Sequence, residues 1–160
     1  MALSEEEFEA LVAELQEKSF ADARGIYGEK GFQRWRNPQF NGIMEDADSS
    51  ACIKGSCGDA IEIFLKFHQS RVEKASYRTN GCGSSALCGS FTAELAIGKR
   101  LEEIMTITPS LVLQEIGQFP AADKHCATLA VMALHKALNE YLGKEVPDER
   151  WQVLKNPAAG

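Results

Sequence analysis

The most regular pattern of apolar and polar positions lies in the middle of the chain, from Asp59 to His68. Alternation over this length predicts a half-buried β-strand, because successive side chains of a strand point to opposite faces. The apolar face consists of Ile61, Ile63, Leu65 and Phe67. Gln69-Ser70 predicts a short turn, and Val72 to Thr79 reads as the returning strand of a hairpin.

Helical patterns precede this hairpin. Ser4 followed by Glu7 predicts a capping box that opens a helix over residues 4–16. Its apolar stripe is formed by Phe8, Leu11, Val12 and Leu15. A second helix is predicted from about Asp22 to Arg36, where Pro38 stops it because the residue before a proline avoids helical backbone angles.

Three more helices are predicted after the hairpin. A glycine-rich bend at residues 80–83 leads into a helix that Gly98 ends, and its core stripe is Leu87, Phe91 and Leu95. Thr108-Pro109 opens a short helix that ends near Gly117. Asp123 is expected to cap a long helix that Gly143 ends. Its apolar face is Ala127, Val131, Leu134, Leu138 and Tyr141.

Strands in the middle and helices at both ends predict an α+β fold rather than a repeating βαβ fold. The length of 160 residues fits a single domain over residues 1–160. Residues 1–22 are expected to form a helical extension, and residues 147–160 a loose tail apart from Trp151.

The charge balance narrows the function. The chain has 17 basic and 23 acidic residues, a net charge of −6, and no basic stripe that could neutralise phosphates, so we expect no nucleic-acid partner. The N-terminus has no signal-peptide pattern, and no apolar run approaches the ~20 residues of a membrane span. We therefore expect a cytoplasmic protein without a membrane partner. Five cysteines in a reducing compartment favour metal or thiol chemistry over disulfides.

Three of these cysteines stand where predicted elements begin or end. Cys57 lies in Gly-Ser-Cys-Gly-Asp before the strand, Cys82 in Gly-Cys-Gly before a helix, and Cys126 in the first turn of the long helix. A helix N-terminus favours the thiolate, which is the form that binds metal and attacks sulfur donors. Asp59 and His125 lie beside two of these cysteines and complete the candidate site.

Taken in order, these pieces resemble the IscU/NifU-type iron–sulfur cluster scaffold proteins. The matching motifs are Asn37-Pro38, Cys57-Gly58-Asp59, Gly81-Cys82-Gly83-Ser84 and His125-Cys126. Tyr27 stands ten residues before Asn37, where the family has a tyrosine. The resemblance runs from about Tyr27 to Tyr141, which leaves the N-terminal helix outside it.

The resemblance implies a small antiparallel sheet of about three strands packed against helices. It also implies a non-enzymatic scaffold that builds a labile [2Fe–2S] cluster from iron and from sulfur supplied by a cysteine desulfurase. Apo iron–sulfur proteins or carrier proteins would receive the cluster. Cys57, Asp59, Cys82 and Cys126 match the family's site, His125 matches its neighbouring histidine, and Cys126 is our choice of persulfide acceptor.

The residue types suit a releasable cluster. Stable [2Fe–2S] sites usually use four thiolates, whereas only three match here, so the fourth ligand is either Asp59 or His125. A hard carboxylate holds iron–sulfide less firmly than a thiolate does. The same residues would also hold tetrahedral zinc in the protein as isolated. This leaves an alternative function, a zinc-binding partner that accepts persulfide from a desulfurase without building a cluster, and it leaves a homo-oligomer open. A hydrolytic zinc enzyme ranks last because the His-x-Glu signature is absent.

Two departures from the family pattern affect its partners. Bacterial members carry a Leu-Pro-Pro-Val-Lys loop that a dedicated Hsp70 chaperone reads, and here residues 119–123 are Phe-Pro-Ala-Ala-Asp. We therefore expect such a chaperone to bind weakly or not at all. The short segment between Cys82 and Cys126 argues against the SufU branch and favours the scaffold over the zinc alternative.

The remaining cysteines and histidines are expected to lie away from the chemistry. Cys88 is interpreted as a small core residue, and Cys52 as a loop thiol without a metal role. His68 lies at the far end of its strand, roughly 30 Å from Asp59. His135 lies ~15 Å along the helix from His125 and cannot share its metal ion.

Overall fold

The computed structural model describes residues 2–56 and 58–145. Its strands are β1 (Ser49–Lys54), β2 (Ala60–His68) and β3 (Arg71–Thr79). Its α-helices are α1 (Glu5–Arg36), α2 (Gly83–Ala96), α3 (Leu101–Ile104), α4 (Pro109–Ile116) and α5 (His125–Glu145), and a short 3-10 turn covers Ala121–Asp123. This is the α+β fold that the sequence predicts, in which one helix precedes the three strands along the chain and the other helices follow them.

The three strands form one antiparallel sheet in the order β1-β2-β3. β2 and β3 are the predicted hairpin, in which Gln69 and Ser70 take the left-handed conformations of a tight turn. The predicted apolar face of β2 is buried, since the side chains of Ile61, Ile63 and Leu65 are fully buried, and Phe64 on the other face is buried as well. Phe67 is half-buried and stacks on the ring of Tyr141 in α5, with 3.9 Å between the ring centroids.

Two helices cover the sheet. α5 packs across β1 and β2, while α2 packs on β3 and on α5. The predicted stripes meet in this layer: Leu87 and Phe91 of α2 and Leu134 and Leu138 of α5 are at most 1% exposed. The beginnings of α2 and α5 therefore come to the same side of the domain, where β2 also starts. No helix within the described residues is both long and apolar enough to span a bilayer.

The N-terminal helices differ from the prediction. The break expected between residues 16 and 22 is absent, and helical backbone continues as far as Gly28, whose φ of 72° and ψ of 179° interrupt α1. Glycine reaches this left-handed region without the steric cost that a Cβ would add. The Gln118 side-chain amide donates hydrogen bonds to the carbonyls of Gly25 and Ile26 just before the break. A distant side chain thus compensates for helical bonds that the break removes.

Other predicted boundaries are also wrong. The segment that holds Cys52 is not a loop but strand β1, in which Cys52 pairs with Glu62 of β2. α5 does not stop at Gly143 but continues to Glu145. Asp123 does not cap α5, because it lies in the 3-10 turn and accepts a hydrogen bond from Ser84 instead. The prediction of a loose tail falls on residues outside the described part of the chain.

Candidate metal and sulfur site

The candidate site lies where β2, α2 and α5 begin. Asp59 directly precedes β2, Cys82 is the residue before α2, and Cys126 is the second residue of α5. Hydrogen bonds join the first two regions: the Asn80 side-chain oxygen accepts from the Ala60 amide at 2.8 Å, and the Thr79 hydroxyl donates to the Ala60 carbonyl at 2.6 Å. The start of β2 is therefore fixed against the bend that carries Cys82.

Ser85 connects two of the predicted site residues. Its hydroxyl donates to Asp59 Oδ2 at 3.1 Å and lies 3.4 Å from Cys126 Sγ. Ser85 is fully buried, whereas Asp59 is half-buried. A hydroxyl has one proton, so while it donates to Asp59 the contact with Cys126 is one in which the thiol donates to the serine oxygen. The structure thus brings Asp59 and Cys126 to opposite sides of one hydroxyl group.

Ser84 makes a parallel set of contacts. Its hydroxyl donates to Asp123 Oδ2 at 2.7 Å, and Tyr27 Oη lies 2.9 Å from the same serine oxygen. Since the serine proton is directed to the carboxylate, the tyrosine hydroxyl is the donor in the second bond. These bonds tie α1 and the turn before α5 to the first turn of α2.

The glycines on either side of Cys82 permit close contact. A Cβ at Gly81 would lie 2.6 Å from Ser85 Oγ and 2.9 Å from Asp59 Cγ, and one at Gly83 would lie 2.8 Å from Trp35 Nε1. Carbon atoms do not approach other groups so closely without displacement. The Gly-Cys-Gly motif therefore has a steric reason, which is to let Asp59 and α1 approach the bend.

The two described site cysteines differ in accessibility. Cys82 is exposed, whereas Cys126 is only 1% exposed. Burial raises the pKa of Cys126, and the nearby Cys82, Asp123 and Asp59 raise it further. Hydrogen bonding with Ser85 offsets part of that rise, because the serine hydroxyl can turn to donate to the thiolate when it forms. The expectation that this thiol would have a lowered pKa is therefore wrong, because removal from water raises the pKa of a thiol.

His125 lies beside the site on the solvent side. It is exposed, and its Nε2 is 3.8 Å from Cys126 Sγ. It also borders a depression of about 320 Å³ whose other lining residues are Gly55, Ser56, Thr128 and Leu129. This depression lies between the loop after β1 and the start of α5, so it gives access to the histidine from outside.

The prediction for Cys57 lies outside the described residues. Within residues 2–56 and 58–145, no three histidine, cysteine, aspartate or glutamate side chains are grouped closely enough to hold a metal ion. Thiols such as those of Cys82 and Cys126 are the donor type that iron–sulfur clusters use, and the Asp59 carboxylate is a harder ligand that iron also accepts. That either Asp59 or His125 is the fourth ligand stays a prediction.

Among the remaining cysteines and histidines, Cys88 and His68 lie where they are expected, in the core and at the surface, whereas Cys52 lies in a strand and not in a loop. Cys88 is fully buried in the core, and that burial raises the pKa of its thiol. Cys52 is exposed on β1. His68 is exposed at the end of β2, and His135 Nε2 lies 3.1 Å from the carbonyl oxygen of Ile104.

The sequence did not identify Ser85 as part of the site, and Ser84 entered only as the last residue of the Gly81–Ser84 motif. The available signal was the pair of adjacent serines at the start of a helix whose later positions are mostly apolar. Polar residues buried in a first helical turn need partners, and here the partners are carboxylates from two other elements.

Comparison with known proteins shows the family of the chain. Residues 26–148 match the family described as the NifU-like N terminal domain. An iron–sulfur cluster assembly scaffold protein IscU of Archaeoglobus fulgidus is 34% identical over 120 residues, which cover 74% of this chain and 78% of that protein. The corresponding protein of Aquifex aeolicus is 31% identical over 122 residues, with the same two coverages.

A solved structure shares the fold. The N-terminal part of a nitrogen-fixing NifU-like protein from Brucella abortus superposes with a TM-score of 0.59 at 18% identity, and the match covers 76% of this chain and 97% of that one. The family match covers well over half of the chain and includes every residue of the candidate site. The chain therefore belongs to the NifU-like N-terminal domain family.

Proposed function

We propose that this protein is a scaffold on which a labile [2Fe–2S] cluster is assembled and from which it is transferred to acceptor apoproteins. The observation that carries the proposal is the joining of Asp59 and Cys126 through Ser85 within a domain of this family. The A. fulgidus and A. aeolicus relatives are named as cluster assembly scaffolds. In this proposal the cluster is the cargo of the protein and not a permanent cofactor.

The proposed ligands are Cys57, Cys82 and Cys126 with Asp59 or His125 as the fourth. Three thiolates supply most of the binding strength, because sulfur ligands suit iron–sulfide. Asp59 is half-buried, and the described side-chain contact that holds it is the hydrogen bond from Ser85, so its exchange between Ser85 and iron would break one hydrogen bond. A ligand that leaves easily is what a donor of clusters requires.

Cys126 remains our predicted persulfide acceptor. In the transfer step its thiolate attacks the outer sulfur of a desulfurase persulfide, a new S–S bond forms on Cys126, and the desulfurase cysteine leaves as a thiolate. The burial of Cys126 sets a condition on this step, because a thiol that is 1% exposed cannot meet a protein-bound persulfide. We expect docking of the desulfurase to expose the first turn of α5.

Anaerobic reconstitution tests the proposal. The full chain is incubated with ferrous iron, cysteine and a cysteine desulfurase, its visible spectrum is recorded, and iron and acid-labile sulfide are assayed. Two irons and two sulfides per site, followed by loss of the chromophore as an apo-ferredoxin gains it, is the expected result. Retention of zinc without any labile sulfide would instead support the persulfide-accepting zinc protein.

A further inference from the structure

The first half of α1 carries an apolar stripe that the domain does not cover. Phe8 and Leu15 are 58% exposed, Leu11 is 42% exposed and Val12 is 45% exposed. These residues are spaced by three, four and seven positions, which places them on one side of a helix with 3.6 residues per turn. Contiguous apolar side chains left in water are typical of a surface that binds a partner.

This segment is well formed without such a partner. Ser4 and Glu7 make a complete capping box, with the Ser4 amide donating to Glu7 Oε2 at 2.9 Å and the Glu7 amide donating to Ser4 Oγ at 3.2 Å. The helix is continuous from Glu5 to the break at Gly28. The stripe therefore lies on a helix that is already formed, so binding does not lose free energy to the ordering of this segment.

Acidic residues border the stripe on both sides. At about 100° per residue, Glu5 and Glu9 fall on one flank, and Glu7 and Glu14 on the other. Lys18 is the single basic residue between positions 2 and 20. We call the four apolar residues and these four glutamates the acidic–apolar face.

Charge decides what fits the acidic–apolar face. A second copy in a parallel pairing would bring glutamates against glutamates, and like charges beside a helix seam oppose association. An anionic membrane surface would repel the same glutamates. A protein groove with an apolar floor and lysine or arginine along its edges satisfies both parts of the face, since an amphipathic helix lays its apolar side into such a groove.

We infer that the acidic–apolar face of α1 docks into a basic-edged apolar groove of another protein. The face lies before residue 26, where the family match begins, so this contact is additional to the cluster-assembly domain and does not depend on the proposed function. It makes residues 5–15 an attachment point that selects a partner while leaving the cluster site free.

A defined peptide probe tests the inference on the full chain. The probe is a synthetic four-heptad helix with leucine at its two seam positions and lysine at the flanking positions, and its counterpart has glutamate at the flanking positions. Binding is measured by fluorescence anisotropy at low and moderate salt. We expect the lysine peptide to bind at least about tenfold more tightly than the glutamate peptide, and its affinity to fall as salt increases.

Matched variants locate the contact. The double variant Phe8→Gln, Leu15→Gln should lower the affinity for the lysine peptide about tenfold or more. Ile43→Gln, which alters a side chain that is 60% exposed elsewhere, should leave the affinity unchanged. Glu9→Lys with Glu14→Lys should reverse the preference between the peptides, whereas the same change at Glu45 and Glu140 should not. Circular dichroism checks that each variant is folded.

Three results would overturn the inference. The first is equal binding of the two peptides, or binding that the Phe8→Gln, Leu15→Gln variant does not weaken. The second is self-association in sedimentation that this variant abolishes, since the face would then be covered by a second copy. The third is binding of the wild-type chain, but not this variant, to phosphatidylcholine–phosphatidylglycerol vesicles.

Discussion

Replacing Asp59 with alanine distinguishes two roles of this carboxylate. In the first, which we call the gating role, Asp59 is the cluster ligand that leaves during exchange. In the second, Asp59 only orders the loop. The change removes the acceptor of the Ser85 hydrogen bond and leaves the Ser85–Cys126 contact in place. A hydrogen bond to a charged group contributes ~1.5–3 kcal/mol, and the half-exposed position of Asp59 favours the lower value. For a chain of 160 residues this corresponds to a fall in Tm of about 3–6 °C.

The cluster should respond in the opposite direction. If Asp59 is the ligand that leaves during exchange, its removal closes that route, and His125 or solvent completes the coordination. We expect Asp59→Ala to bind a cluster, to hold it longer in air, and to transfer it to apo-ferredoxin at least about tenfold more slowly, which is ~1.4 kcal/mol in the barrier. The gating role therefore predicts a less stable protein with a longer-lived cluster.

Three measurements on the same preparation decide the matter: thermal unfolding, the decay of visible absorbance in air, and the rate of holo-ferredoxin formation. Asp123→Ala is a matched control, because Asp123 accepts a hydrogen bond from the neighbouring buried serine. It should lose similar stability without a gain in cluster lifetime. A cluster in Asp59→Ala that decays faster, with transfer unslowed, would refute the gating role and leave Asp59 as a residue that only orders the loop.

Three further predictions concern the thiols and the loop before α5. Single replacement of Cys57, Cys82 or Cys126 by serine should prevent a stable reconstituted cluster, whereas Cys88→Ser in the core should leave iron and sulfide content largely intact; the reverse pattern would contradict the ligand assignment. Iodoacetamide labelling, located by mass spectrometry, should modify the exposed Cys82 before the buried Cys126. Labelling of Cys126 should begin at a higher pH than labelling of a free thiol, because its raised pKa means that the reactive thiolate forms only at higher pH. Equal labelling rates would show that the first turn of α5 opens without a partner. A purified Hsp70 that recognises the Pro-Pro-Val-Lys loop should bind this protein weakly or not at all, because Phe119 lies against the ring of Tyr27 and Asp123 is held by Ser84. Micromolar affinity that is lost on changing residues 119–123 would contradict this prediction.

Local patterns were sufficient where the controlling interaction was also local. The tight turn of the β2–β3 hairpin and the Thr108 cap of α4 depend on neighbours within a few residues, and each was predicted. β1 was missed because a six-residue segment with two serines has little periodicity of its own. Its pairing with β2 decides its conformation, and that partner lies beyond the next loop.

Boundaries that depend on distant residues were predicted less well. The break in α1 falls at Gly28 because the chain can turn there and Gln118 satisfies the preceding carbonyls from more than ninety positions away. The sign of the Cys126 pKa shift has the same origin. Its place at a helix N-terminus is visible in the sequence, but its burial results from packing between α2, α5 and the sheet, and burial is the larger effect.

The adjacent serines of α2 explain how a site assembled from three elements can keep its shape before any metal arrives. Ser84 and Ser85 point to different sides of the helix because successive residues are about 100° apart. One holds the turn before α5 through Asp123, and the other holds the start of β2 through Asp59. Both hydroxyls are buried, and hydrogen bonds to carboxylates are stronger away from water. Under the proposed function, release of a cluster then requires movement of ligand side chains on a fixed backbone, whereas delivery of sulfur to Cys126 also requires the first turn of α5 to open.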